Sequence, residues 1–335
     1  MILLLLPNLI MFLGVEPIET KKNDIKFDIK KPLASITYFK NHYEENFGLK
    51  STMIKGYIDF KINILNENPI QNRVTKGRDG WYFLGNHYNN LINDHFGNAP
   101  FTDDELYSIT NHISEINTYL KSKNIKFYLV VPPNKSSIYN EKLPYQLTKS
   151  ATRLDVLKAH LKKEINFEII DLKSDLLLKK DEEQLYYKTN THWNDYGAYL
   201  GYQSVIKTLK GDFNISKSPI SNYDYEEGFK EGDITAMIKN NTLEKTQYLI
   251  KKDTSNISTI VNTYQHLHFK NLNQPLKLLM YRDSFANNWI SYFNDSFGET
   301  IYLRHYILDK SFIEKEQPDI VIFEIVERNL NVLIN

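Results

Sequence analysis

The sequence predicts an α/β protein built on a mainly parallel sheet, and three observations carry that expectation. Short uninterrupted apolar runs such as IKFYLVVPP and DIVIFEIVERNL suit strands buried on both faces. Helical stretches alternate with such runs over about 200 residues, as crossover connections between parallel strands require. Polar turns follow the apolar runs directly, and ligands of layered α/β folds bind beyond the carboxyl ends of the strands.

Taken in order, Met1–Val15 is an uncharged apolar run, shorter than the ~20 residues that cross a bilayer. It reads as a short signal or anchor segment, which predicts an exported chain attached to the membrane. Residues 16–31 are charged and aperiodic, a tether. From Pro32 the composition is globular, and residues 36–65 carry apolar positions at helical spacing with a break near Gly48, predicting two N-terminal helices. GRDGWYFLGN places an Asp79-Gly80 turn before an aromatic strand. A helix is expected over 103–123 with Thr102 as N-cap. The run ending at Pro133 is an interior strand, 152–163 a helix, FEIIDL a short strand and 195–209 a helix capped by Asp195. Residues 211–269 read as an insertion with small strands, for which a lid is one role. LKLLMY, ETIYL and DIVIFEI are the remaining strands. One domain spanning 32–335 with that insertion follows.

Lys+Arg and Asp+Glu both number 41, for a formal net charge of +0. No basic stripe runs along the chain, so nucleic acid is not an expected partner. Cysteine is absent, which removes disulfides, thiolate metal sites and a cysteine nucleophile. The 23 Tyr and 18 Phe suit a strand-rich core as well as sugar stacking. No G-x-G-x-x-G or Walker pattern occurs. His266 and His268 share one face of a strand, but no third ligand is placed by sequence, so no metal or other cofactor is expected.

The stretch YYKTNTHWNDYGAYLGY presents His192 in a polar loop just ahead of a helix. A histidine base needs a hydroxyl to deprotonate and a partner to hold its ring. Ser284, in LLMYRDSFANNW, follows an apolar strand, where a tight turn exposes Oγ at the sheet edge and its own N–H faces an oxyanion. Asp-Ser is also a common helix N-cap pair, and the pattern alone leaves both readings open.

A strand followed by Asp-Ser-Phe resembles the first block of SGNH hydrolases, whose histidine block lies near the other end. Here VVPPNKSSIY, IIDL and NTHWNDYGAY precede RDSF and VIFEIVERN. Moving the last two to the front restores the family order, so the chain resembles a circularly permuted SGNH domain of the alginate O-acetyltransferase (AlgJ/AlgX) and DHHW type. GRDGWYFLGN and GDITAMI are further landmarks. The resemblance implies a flavodoxin-like α/β sandwich in which Ser284 is the nucleophile and His192 the base. Asn190 stands where that family has the triad Asp. An oxyanion site would join the Ser284 amide to Asn329 or Arg328. Trp193 is a candidate for sugar stacking or for the core. Arg304 would bind an anionic substrate or pair with an Asp. Asp283, Lys135 and Tyr139 share the rim. The implied activity is O-acetyl transfer to an exported or cell-surface polysaccharide, the acyl group coming from a multi-pass membrane acyltransferase, in the periplasmic or other extracytoplasmic space at the inner membrane. Water as acceptor would make the same site an esterase, and loss of the carboxylate at Asn190 motivates a non-catalytic scaffold or carbohydrate-binding protein.

Overall fold

The computed structural model describes residues 40, 49–65, 67, 70, 72–145 and 150–334. The signal or anchor segment, the tether and most of the first N-terminal helix lie outside these residues. Among the described residues, no helix is long and apolar enough to cross a membrane. The chain divides into two compact units, Met1–Pro69 with Ile238–Asn240, and Ile70–Met237 with Asn241–Asn335. The first contributes the helix Lys50–Asn63, entered through Leu49 in the left-handed region.

The second unit opens with β1 (Val74–Lys76) and β2 (Tyr82–Leu84), an antiparallel pair. Asp79 and Gly80 turn the chain between them with φ of 54° and 78°, as a tight hairpin demands. The other strands are β3 (Lys126–Val131), β4 (Ile170–Asp171), β5 (Tyr223–Glu231), β6 (Leu243–Lys251), β7 (Ile257–Asn262), β8 (His266–Asn271), β9 (Lys277–Tyr281), β10 (Glu299–Leu303) and β11 (Ile320–Glu324). Seven of them form the central sheet in the order β4-β3-β11-β9-β10-β8-β7. The first five run parallel, while β8 and β7 close one side antiparallel.

Alternation along the parallel strands divides the core. Leu129, Val131, Leu279, Tyr281, Val321 and Phe323 face the helices Asp103–Ser122 and Arg153–Ile165, meeting Ile109, Ile113 and Leu157. Thr102 and Thr152 start those helices with complete capping boxes. On the opposite face Tyr302 Oη donates to Asn294 Oδ1 at 2.8 Å, which holds the helix Ile290–Ser296 against the sheet. The helix Asp195–Leu209 joins that layer where Trp289 Nε1 donates to the Ala198 carbonyl at 2.8 Å.

Two expectations change. β7 and β8 belong to the central sheet rather than to an insertion, because β8 pairs antiparallel with β10 and β7 with β8; within 211–269, β5, the short helix Asp233–Met237 and β6 stand outside it. Asn194, not Asp195, is the N-cap: its side chain accepts from the Gly197 N–H at 2.8 Å. The Asp195 carboxylate instead accepts from the Leu249 N–H at 2.9 Å and from Asn288, tying the helix start to β6.

Gly197 packs against the segment leading to His192, and a Cβ there would sit 2.2 Å from the Leu185 carbonyl oxygen. Gly197→Ala is expected to destabilise the protein by about 1–3 kcal/mol in urea unfolding, the range of an overpacked core.

Candidate active site

The site forms where the parallel strands end. β3 leads into Lys135, β9 into Ser284, β10 into Arg304 and β11 into Arg328. Ser284 opens a 3-10 turn, Phe285–Trp289, with ordinary right-handed dihedrals, so this serine carries no backbone strain. Asp283 shapes that turn: Oδ1 accepts from the Phe285 N–H at 2.8 Å and Oδ2 from the Val326 N–H at 3.0 Å. The Ser284 N–H donates to no protein group among the described residues.

His192 arrives on a loop closed by a bridge between Tyr186 and Trp193. Its Nε2 lies 2.8 Å from Ser284 Oγ and its Nδ1 lies 2.9 Å from Asn190 Oδ1. The partners fix the amide orientation. Asn190 Nδ2 donates to the Glu231 carbonyl at 2.9 Å, and Oδ1 also accepts from the His192 N–H at 3.1 Å. An amide oxygen can only accept, so the imidazole proton sits on Nδ1 and the Nε2 lone pair faces the serine hydroxyl. Burial, and then the charges of Arg328, Lys230, Arg304 and Lys135, pull the His192 pKa down to about 3, which keeps the ring neutral.

Residues 74–268 match the family described as SGNH hydrolase-like domain, acetyltransferase AlgX, over more than half of the chain. The chain belongs to this family. The chain is 23% identical to the probable alginate O-acetylase AlgJ of Pseudomonas fluorescens over 325 residues, covering 88% of this chain and 77% of that protein. Among solved structures, PatB1 of Bacillus cereus with a sulfonyl adduct superposes with a TM-score of 0.58 at 20% identity, over 77% of this chain and 97% of that one. The O-acetyltransferase domain of Pseudomonas putida AlgJ gives 0.54 at 18%, over 77% and 92%. These two likenesses concern the fold, the permuted SGNH-like arrangement with its mainly parallel sheet.

Other SGNH-family rim positions have tasks that the sequence left open. Trp193 is fully buried, so it is unable to stack on a sugar; its Nε1–H donates to the Phe285 carbonyl at 3.0 Å. Lys135 is buried as well, and its Nζ reaches the carbonyls of Tyr187, Lys188 and Asn190 at 3.0, 3.0 and 2.8 Å. Burial draws its pKa down to about 7, yet three acceptors call for the three N–H groups of an ammonium. Lys135 therefore clamps the histidine loop rather than meeting substrate. Tyr139 is also buried and accepts from the Leu185 N–H at 2.9 Å, so it supports the same loop. Of the two oxyanion candidates after β11, Asn329 is held by Asn89 through its Oδ1, whereas the Arg328 guanidinium lies 5.0 Å over the Phe285 ring. Arg304 pairs with no carboxylate among the described residues and lies 4.4 Å over the Tyr264 ring. His266 and His268 stack at 6.3 Å, and His268 meets Glu299 at 2.7 Å; no cluster of three metal ligands occurs among the described residues.

The residues that the sequence did not single out are Thr191 and Asp233. Thr191 Oγ1 lies 3.0 Å from His192 Nδ1 and donates to Asp233 Oδ2 at 2.6 Å. The GDITAMI landmark contained Asp233, but nothing along the chain ties it to the histidine.

Two outcomes follow from the clamp and from the neutral ring. Lys135→Met strands three carbonyls in the interior and is expected to cost about 3 kcal/mol in urea unfolding, with ester turnover falling at least ~10-fold. A general base acts only unprotonated, so with its pKa lowered His192 would keep that capacity toward acid. Sulfonylation of Ser284 should show no inflection near the ordinary histidine pKa of about 6.5 and should fall only below about pH 4.

Proposed function

We propose that the protein is an O-acetyltransferase acting on hydroxyls of an exported or cell-surface polysaccharide through an acetyl-Ser284 intermediate. The observation that carries the reading is the 2.8 Å approach of His192 Nε2 to Ser284 Oγ, with the lone pair aimed at the hydroxyl by Asn190. Ser284 Oγ attacks the acyl carbonyl as its proton passes to Nε2, and the leaving group departs with that proton. The oxyanion faces the free Ser284 N–H, with Arg328 as the second donor. A sugar hydroxyl then gives its proton to Nε2, attacks the acetyl carbonyl, and Ser284 recovers the proton as it leaves.

Acetyl transfer and a polysaccharide acceptor are supported by the family and by the AlgJ relative, named for alginate. The apolar residues 1–15 support a location outside the cytoplasm with attachment to the inner membrane. In that compartment the acyl group has to be delivered across the bilayer, the task of a multi-pass membrane acyltransferase.

The test is incubation with an acetylated chromogenic ester, with and without oligosaccharide, followed by weighing the sugar by mass spectrometry. Acetylated sugar that disappears in Ser284→Ala, a fall of at least ~10³-fold, is the expected result. Ester cleavage without sugar acetylation would make the protein an esterase. Undiminished sugar acetylation by Ser284→Ala would overturn the acetyl-Ser284 reading, and a folded parent protein that turns over neither ester nor sugar would favour a non-catalytic envelope component.

A further inference from the structure

Four cations, Lys135, Lys230, Arg304 and Arg328, bear on the His192 ring, and all of them oppose the positive charge the ring must carry once it takes the serine proton. Position 190, where the family places a carboxylate, holds an amide here. Asn190 fixes the tautomer and ring direction, but a neutral oxygen does little to balance an imidazolium. Among the described residues, one carboxylate oxygen lies within 4.0 Å of a ring nitrogen: Asp233 Oδ2, 3.8 Å from Nδ1.

The hydroxyl between them has a determined direction. Nδ1 carries a proton because Asn190 Oδ1 only accepts. Thr191 Oγ1, at 3.0 Å from Nδ1, therefore faces it as an acceptor, and its own proton goes to Asp233 Oδ2 at 2.6 Å. The second carboxylate oxygen, Oδ1, accepts from the Thr191 N–H at 2.7 Å. Asp233 thus grips Thr191 at two points, and its charge polarises the hydroxyl toward the ring. The anchor on the far side is firm, since the Ile234 N–H donates to the Thr189 carbonyl at 3.2 Å.

We propose that Asp233, acting through the Thr191 hydroxyl, is the charge-compensating positioning residue of His192, supplying from the β5–β6 hairpin the carboxylate that position 190 lacks. The inference rests on the Ser284–His192 reading above. No proton needs to reach Asp233: as Ser284 Oγ–H gives its proton to Nε2, the new positive charge is met by the polarised hydroxyl and by the carboxylate behind it.

The experiment measures steady-state cleavage of a chromogenic acetyl ester by the full chain and by Asp233→Asn, Thr191→Val, Asn190→Asp and Asn190→Asp/Asp233→Asn. Each variant is checked for an unchanged thermal midpoint. Asp233→Asn keeps the shape and removes the charge. It is expected to lower kcat by ~10²-fold with KM within twofold; this is less than the ~10⁴-fold loss known for a carboxylate in direct contact with the ring. Thr191→Val should lower kcat in the same sense. With a carboxylate restored at 190, Asp233→Asn should cost less than ~3-fold, because the charge is already present. A purely structural Asp233 would cost the same factor in both backgrounds, and that result, or a kcat for Asp233→Asn within twofold of the parent, overturns the proposal. Failure of the parent reading has a separate signature, namely full turnover by Ser284→Ala.

Discussion

The Nε1–H of Trp193 donates to the carbonyl of Phe285, and this one buried bond joins the two loops on which the site depends. Trp193 directly follows His192 and Phe285 directly follows Ser284, so the bond ties together the backbone on which both side chains are mounted. Both side chains are fully buried, with ring centroids 5.3 Å apart, and a buried indole N–H without an acceptor is costly. Trp289 packs on Trp193 at 5.1 Å and anchors the pair to the helix that follows the histidine loop. Ninety-two residues of chain separation are thereby reduced to one hydrogen-bond length at Nε2.

A second layer sets the ring's direction. The carbonyls of residues 187, 188 and 190 turn inward on the Lys135 ammonium, so the loop wraps a buried charge. The aromatic rings of Trp81 and Phe83 lie 5.8 and 5.3 Å from the same Nζ and close the other side. Behind the loop, Glu244 accepts from the N–H groups of Lys188 and Thr189 at 2.9 and 3.1 Å. Positive and negative side chains thus hold opposite faces of one short segment. The neutral imidazole inside it is kept from titrating by the same low-dielectric surroundings that hold it in place.

Much of this was legible in the sequence for a physical reason. Apolar runs ended by polar turns fix both where strands lie and which end of the sheet carries the polar turns, so the rim at Lys135, His192, Ser284 and Arg328 could be placed from pattern, while the pairing of Ser284 with His192 rested on the SGNH resemblance. What stayed hidden depends on long-range pairing. β7 is mostly exposed and β8 mostly half-buried, so they read as a separate piece until the pairing of β8 with β10 is seen. Lys135 reads as an exposed cation because a lysine's burial is decided by carbonyls from another segment. Trp193 could be placed on a sugar or in the core only by its neighbours. Asp233 lies 41 residues beyond His192 on a hairpin whose strands give no hint of where its tip rests.

That hairpin has a mechanical meaning. Glu231 gives its carbonyl to Asn190, Asp233 grips Thr191, and Glu244 holds Lys188 and Thr189. A flap that swung open would carry the imidazole's supports away with it, so in this arrangement the β5–β6 segment buttresses the His192 loop. On the proposed acyl-transfer reading, an acceptor has to meet Ser284 with these contacts intact, because releasing the hairpin would also release the groups that hold the His192 ring.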